Sequence, residues 1–281
     1  MKKILERLTV FLIGVPLIVG SIYLFPHNHF LVFHVELFIV LIIAVSEMQK
    51  IVSQKLKTYP PLISIILGLI IPILSYLFTW KLVPGPLLLF IVFSVFITIL
   101  LIEFFISFSG DFSFSIERIS TAFFLALYPS SFSIFFSLIA RWNNAKIVLC
   151  LFLLLIFACD SLAWVFGMAL GKNNRGFIPA SPKKSIAGFV GGILSSVLVG
   201  ILAYTVFKHK LQISFIGIIT TSFLTAIAAI IGDLIESIIK RSANVKDSGK
   251  AILGRGGIMD SIDSITLGVP VFYFSFLLFM R

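Results

Sequence analysis

Three stretches of this chain place residues capable of chemistry inside or beside long apolar runs. The densest is 232–264. Gly232-Asp233-Leu234-Ile235-Glu236-Ser237 leads into Lys240-Arg241, then Lys246-Asp247-Ser248-Gly249, Gly254-Arg255-Gly256-Gly257, and finally Asp260 and Asp263. Helical spacing puts Asp233, Glu236, Ser237 and Lys240 on one face, at i, i+3, i+4 and i+7. Asp260 and Asp263, at i and i+3, share a face of the next run and point toward Asp233 if the two helices form a hairpin. Three carboxylates offer the hard oxygen donors that Mg²⁺ takes, and phosphate oxygens can complete such a shell. Gly256 and Gly257 permit close backbone approach, as a phosphate nest requires. Lys240, Arg241, Lys246 and Arg255 carry charge that can balance several phosphates. The competing reading is a salt-bridged loop whose carboxylates cap a helix.

The second stretch centres on Asp160, within Ala158-Cys159-Asp160-Ser161-Leu162-Ala163-Trp164. A carboxylate in an apolar span costs about 3 kcal/mol or more unless it is paired or hydrated. Asp160, Trp164, Gly167 and Gly171 fall on one helical stripe, and its small residues admit another backbone or a ligand. Asp160 thus either shapes a polar cavity or is simply hydrogen-bonded to a neighbouring helix. The third stretch runs from Gly171-Lys172 to Ser181-Pro182-Lys183-Lys184-Ser185, then Gly188, Gly191 and Gly192. Pro182 sits just ahead of a helix start, with Ser181 near the capping position. Backbone N–H groups at that end face an anion, and Lys183 and Lys184 add charge beside it. A short basic loop with a capped helix accounts for the same residues.

These residues need apolar helices to hold them. The chain has 281 residues, of which 59% are hydrophobic and 12% charged. With a mean hydropathy of +1.13, this excludes a disordered chain, a disulfide scaffold and an ordinary soluble enzyme. Nine runs approach the roughly 20 apolar residues that cross a bilayer as a helix: 8–25, 30–46, 60–80, 86–107, 119–139, 146–170, 185–207, 212–239 and 261–280. They are continuous rather than alternating, so an all-α polytopic membrane protein is expected, not a barrel. The first run has a basic start but no small-residue cleavage site, and reads as a retained helix. Residues 1–140 then form five N-terminal spans. Residues 141–281 form a catalytic membrane region with polar loops at 171–184 and 240–260.

The net charge of +10 does not mark a nucleic-acid partner, because the basic residues are scattered between apolar runs. With the N-terminus in the cytoplasm, 16 of the 22 Lys and Arg fall inside and six outside, namely Lys81, Arg141, Lys146, Lys208, Lys210 and Arg281. The positive-inside rule thus favours an N-terminus in and a C-terminus out, with both polar loops cytoplasmic. Cys150 and Cys159 lie roughly 13 Å apart along a helix, too far for a disulfide. The four histidines have no partners at zinc-ligand spacing.

The 232–264 stretch resembles the signature of the phosphatidate cytidylyltransferase (CDP-diacylglycerol synthase) family. Ser237, Lys240, Arg241, Lys246, Asp247, Gly249, Leu253-Gly254, Gly256-Gly257, Asp260 and Asp263 match that pattern in register. The resemblance extends upstream to Gly232-Asp233, to Ser181-Pro182-Lys183-Lys184 with Gly188, and to Asp160 with Gly167 and Gly171. Three positions depart: Arg255 replaces a His, Ser261 an Arg, and Ala187 a Glu common in relatives.

The resemblance implies the reaction of CTP with phosphatidate to give CDP-diacylglycerol and pyrophosphate. It implies Asp233, Asp260 and Asp263 as carboxylates around Mg²⁺, with K⁺ as a candidate second metal. Asp233, Lys240, Arg241, Lys246, Asp247 and Asp260 are then the expected catalytic residues. Asp160, Ser181, Lys183, Lys184, Ser237, Arg255, Gly256 and Gly257 are the expected substrate-binding residues. A homodimer in the bacterial inner membrane, with its site facing the cytoplasm, is expected on the same ground. Two rivals remain: a CTP-dependent polyprenol or phytol kinase, which would release CDP, and a secondary transporter using Asp160 and Asp233 as coupling sites.

Overall fold

The computed structural model describes residues 2–83, 86–110, 112–252 and 256–280, with side chains described from Ile13 onward, apart from position 87. Ten helices lie among the described residues: α1 (Lys2–Leu24), α2 (His27–Val52), α3 (Pro61–Thr79), α4 (Leu87–Ser107), α5 (Ser115–Leu127), α6 (Ser133–Ile139), α7 (Ala145–Ala169), α8 (Ile186–Leu211), α9 (Phe215–Ser242) and α10 (Met259–Phe279). Seven of them, α2–α4 and α7–α10, are long and apolar enough to cross a membrane. The protein is an all-helical polytopic membrane protein.

Eight of the nine expected runs correspond to single helices. The run expected over 119–139 is instead two short helices, α5 and α6. Pro129 lacks the N–H that would continue the ladder. The serines after it compete for backbone groups, and the Ser133 hydroxyl donates to the Ser130 carbonyl at 2.6 Å. α2 extends beyond its expected end at 46 as far as Val52, but Asn28, His29 and Phe30 at its start are left-handed.

The helices fall into two compact units. One comprises Met1–Arg141 and Ser242–Ser261; the other comprises Trp142–Arg241 and Ile262–Arg281. The loop 242–261 therefore groups with the N-terminal helices. In the N-terminal unit α3 packs against α2, α4, α5 and α6. Its apolar core includes Leu67, Ile71, Ile91, Val95, Ile99 and Ala126.

A polar knot closes one end of that core. The Tyr59 hydroxyl donates to Glu103 Oε2 at 2.6 Å, and Arg118 grips both oxygens of the same carboxylate at 3.2 and 2.6 Å. Gln49 donates to the Tyr59 carbonyl at 2.8 Å. Burial, reinforced by the adjacent Glu103 carboxylate, holds the Tyr59 phenol well above its ordinary pKa.

In the C-terminal unit, glycines let backbones approach. A Cβ on Gly192 would lie 2.9 Å from the Cys159 carbonyl oxygen, so α8 sits directly on α7. A Cβ on Gly232 would lie 2.5 Å from the Asp263 carbonyl oxygen, which brings α9 equally close to α10.

Candidate functional site

The polar residues expected to carry chemistry divide between the two units. The C-terminal unit holds Asp160, Ser181, Lys183, Lys184, Asp233, Ser237, Lys240, Arg241 and Asp263. Lys184, just before α8, is ion-paired with Asp233 on α9, and both side chains are partly shielded from solvent. One turn further along α9, the fully buried Glu236 is ion-paired with Lys240. Ser237 is buried beside them. Arg241 Nε donates to the Ala180 carbonyl at 3.2 Å, tying the 171–184 loop to the end of α9. Asp160 Oδ1 accepts the Ser264 hydroxyl at 3.1 Å, and Asp263 Oδ1 accepts the Ser264 N–H at 2.6 Å. One serine on α10 therefore links two of the expected carboxylates.

The helix start differs from expectation at one point. Ser185, not Ser181, caps α8, and its hydroxyl accepts the Gly188 N–H at 3.1 Å. Ser181 lies one turn earlier, where its carbonyl accepts the Lys184 N–H at 3.1 Å. Pro182 and the two lysines occupy that turn, so extended backbone at Ser185 must precede the first helical residue. The stripe Gly167–Gly171 faces this cap. A Cβ on Gly167 would meet the Ser185 hydroxyl at 3.2 Å, and Gly171 lies against the same serine.

The N-terminal unit holds Lys246, Asp247, Gly256, Gly257 and Asp260. Asp260 Oδ2 accepts the Ser248 N–H at 2.9 Å, the Ser248 hydroxyl at 2.9 Å and the Gly257 N–H at 2.7 Å. This folds the loop back onto the first turn of α10. Gly256 has φ +120°, a conformation that L side chains rarely adopt. Lys246 and Asp247 are exposed. Arg255 lies outside the described residues.

Sequence reasoning missed Glu47. It lies on α2, and its carboxylate accepts the Met259 N–H at 2.9 Å. The only local signal is an acid near the end of an apolar run, and nothing nearby in the sequence names its partners.

Among the described residues, no three of His, Cys, Asp and Glu converge closely enough to hold a metal ion. The donors present are nevertheless of the right type for a hard divalent cation. They are carboxylate oxygens, and Asp233 already neutralises its charge against a cation, the Lys184 ammonium.

The model of the cytidylyltransferase family matches residues 5–279. This chain belongs to the cytidylyltransferase family. Relatives named phosphatidate cytidylyltransferase occur in Helicobacter pylori, Haemophilus influenzae and Bacillus subtilis. The first is 38% identical over 135 residues, 48% of this chain and 49% of the relative. The second is 38% identical over 128 residues, covering 44% and 43%. The third is 36% identical over 124 residues, covering 44% and 45%. The matched stretch spans about half the length of each relative or less.

Proposed function

We propose that this protein transfers the cytidylyl group of CTP to phosphatidate, forming CDP-diacylglycerol and releasing pyrophosphate. The observation that carries this reading is the Lys184–Asp233 ion pair beside the capped start of α8. It brings together an ammonium, a group suited to phosphate, and a carboxylate, a group suited to a hard cation, within a chain that belongs to the cytidylyltransferase family.

A phosphate monoester oxygen of phosphatidate attacks the α-phosphorus of CTP. The bond from the α-phosphorus to the bridging oxygen breaks, and pyrophosphate leaves with the electron pair. The nucleophile is already ionised near neutral pH, so positioning and charge stabilisation carry most of the catalysis. Lys183, Lys184 and the N–H groups at the start of α8 bind phosphate charge. Lys240, Arg241 and Lys246 add positive charge, and Glu236 fixes Lys240. Ser181, Ser237, Gly256, Gly257 and Arg255 complete the substrate contacts, and Asp160 and Asp247 shape the polar lining. Asp233, Asp260 and Asp263, the metal set implied by the family resemblance, would supply carboxylate oxygens to Mg²⁺, with K⁺ as a second ion. When bound, the cation offsets the mutual repulsion of two anionic substrates.

A site at helix ends suits this pair of substrates, because acyl chains stay in the leaflet while CTP arrives from water. The reading includes a homodimer in the bacterial inner membrane, a cytoplasmic site and no nucleic-acid partner. The test is turnover by purified protein given phosphatidate, CTP and Mg²⁺, with both products followed by mass spectrometry. CDP-diacylglycerol and pyrophosphate should appear together and vanish with EDTA. Release of CDP in place of pyrophosphate would overturn the reading in favour of a lipid kinase.

A further inference from the structure

We propose that Glu47, far from the signature stretch in sequence, is a positioning residue of this site that fixes the glycine-bearing loop and, through Ser248, the Asp260 carboxylate. The proposal rests on the cytidylyl-transfer reading. Glu47 lies on α2 five residues before its end at Val52, and is 5% exposed. Its Oε2 accepts the Met259 N–H at 2.9 Å and lies 3.2 Å from the Ser248 hydroxyl. That same hydroxyl lies 2.9 Å from Asp260 Oδ2 and accepts the Asp260 N–H at 3.2 Å. A serine carries one hydroxyl proton, so two carboxylates share a single donor.

The glycines of the loop fit around this carboxylate. A Cβ on Gly249 would lie 2.6 Å from Glu47 Cδ, and one on Gly257 would lie 2.7 Å from it. Any larger residue at either position would displace the Glu47 side chain or the loop. Glycine at 257 therefore leaves room for Glu47 and for the Ser248 hydroxyl. A buried carboxylate is costly without hydrogen-bond donors, and this loop brings them. Because Met259 is the first residue of α10 and Asp260 the next, holding the Met259 N–H fixes where Asp260 begins.

The test uses the full-length protein in detergent, with Glu47→Ala, Glu47→Gln and Ser248→Ala. Glu47→Gln keeps the shape and one acceptor oxygen; Glu47→Ala removes both. Glu47→Ala should lower kcat about 10- to 100-fold, as loss of a group that orients site residues does. It should also raise the KM for CTP while the KM for phosphatidate stays unchanged. Glu47→Gln should restore most of the activity. Peptides covering 246–259 should exchange backbone hydrogens at least about tenfold faster in Glu47→Ala, while α8 peptides do not change. Should Glu47→Ala fail to fold, Glu47→Gln and Ser248→Ala should combine non-additively in kcat. Faster loop exchange with unchanged kinetics, or strictly additive effects, would overturn the proposal. If wild type turns over no CTP while the exchange pattern holds, the tether stands and the cytidylyl-transfer reading falls.

Discussion

Lys184 and Asp233 are ion-paired in this structure, although each is suited to a different part of a phosphate reaction. On the proposed reading, the lysine before the start of α8 meets phosphate and the carboxylate meets a metal ion. Their pairing holds both side chains in position and offsets the charge of each. On the proposed reading, an arriving phosphate takes over the lysine, which leaves the carboxylate for a metal.

Asp233→Asn removes the carboxylate charge but keeps its size. Turnover should fall at least about 100-fold, the cost of losing one group that stabilises the transition state. The melting temperature in detergent should stay within a few degrees of wild type. Near-normal activity would dismiss Asp233 as a metal-site residue.

Lys184→Met should lower kcat/KM, and Lys184→Arg should recover part of the loss, since Arg keeps the charge with a different geometry. Kinetics with CTP and phosphatidate varied separately would show which substrate the lysine meets. Equal activity of the Met and Arg variants would refute a charge role.

The buried Glu236–Lys240 pair should behave as a unit. Lys240→Met strips a cation from a fully buried carboxylate, a change that costs about 3–5 kcal/mol in such pairs. The double variant Lys240→Met/Glu236→Met should be more stable than Lys240→Met alone, though inactive. Thermal unfolding of the three proteins separates the stability role from the catalytic one.

Gly192→Val places a branched side chain where α8 lies against the Cys159 carbonyl. Overpacking of this kind costs about 1–3 kcal/mol. The loss should appear as a lower melting temperature in detergent. Leu198→Ala, at an exposed position of the same helix, is the control and should leave the melting temperature nearly unchanged. An equal drop in both variants would mean that close packing at Gly192 contributes nothing particular.

Much of the scaffold was legible in the sequence because run length is a direct consequence of bilayer thickness. The helices α3, α4 and α7 end within a residue or two of where their apolar runs end. The break between α5 and α6 was masked because Pro129 is flanked by residues apolar enough to continue the run. Arg118 reads as a loop charge in sequence, yet it is buried against Glu103. Only folding brings α4 and α5 together. Spacing along one helix put Glu236 and Lys240 on a common face, where they pair. Ser185 escapes notice as the cap because Ser181-Pro182 imitates a helix start. Glu47 was beyond reach, since its partners lie more than 200 positions away in the chain.

That separation has a consequence for biosynthesis. Glu47 leaves the ribosome 201 residues before Ser248. At about 5–20 residues per second, this is a wait of roughly 10–40 s. During that interval α2 must carry an acid with none of its eventual loop donors yet made. The N-terminal unit, although begun first, is therefore finished only once the first turn of α10 has been made.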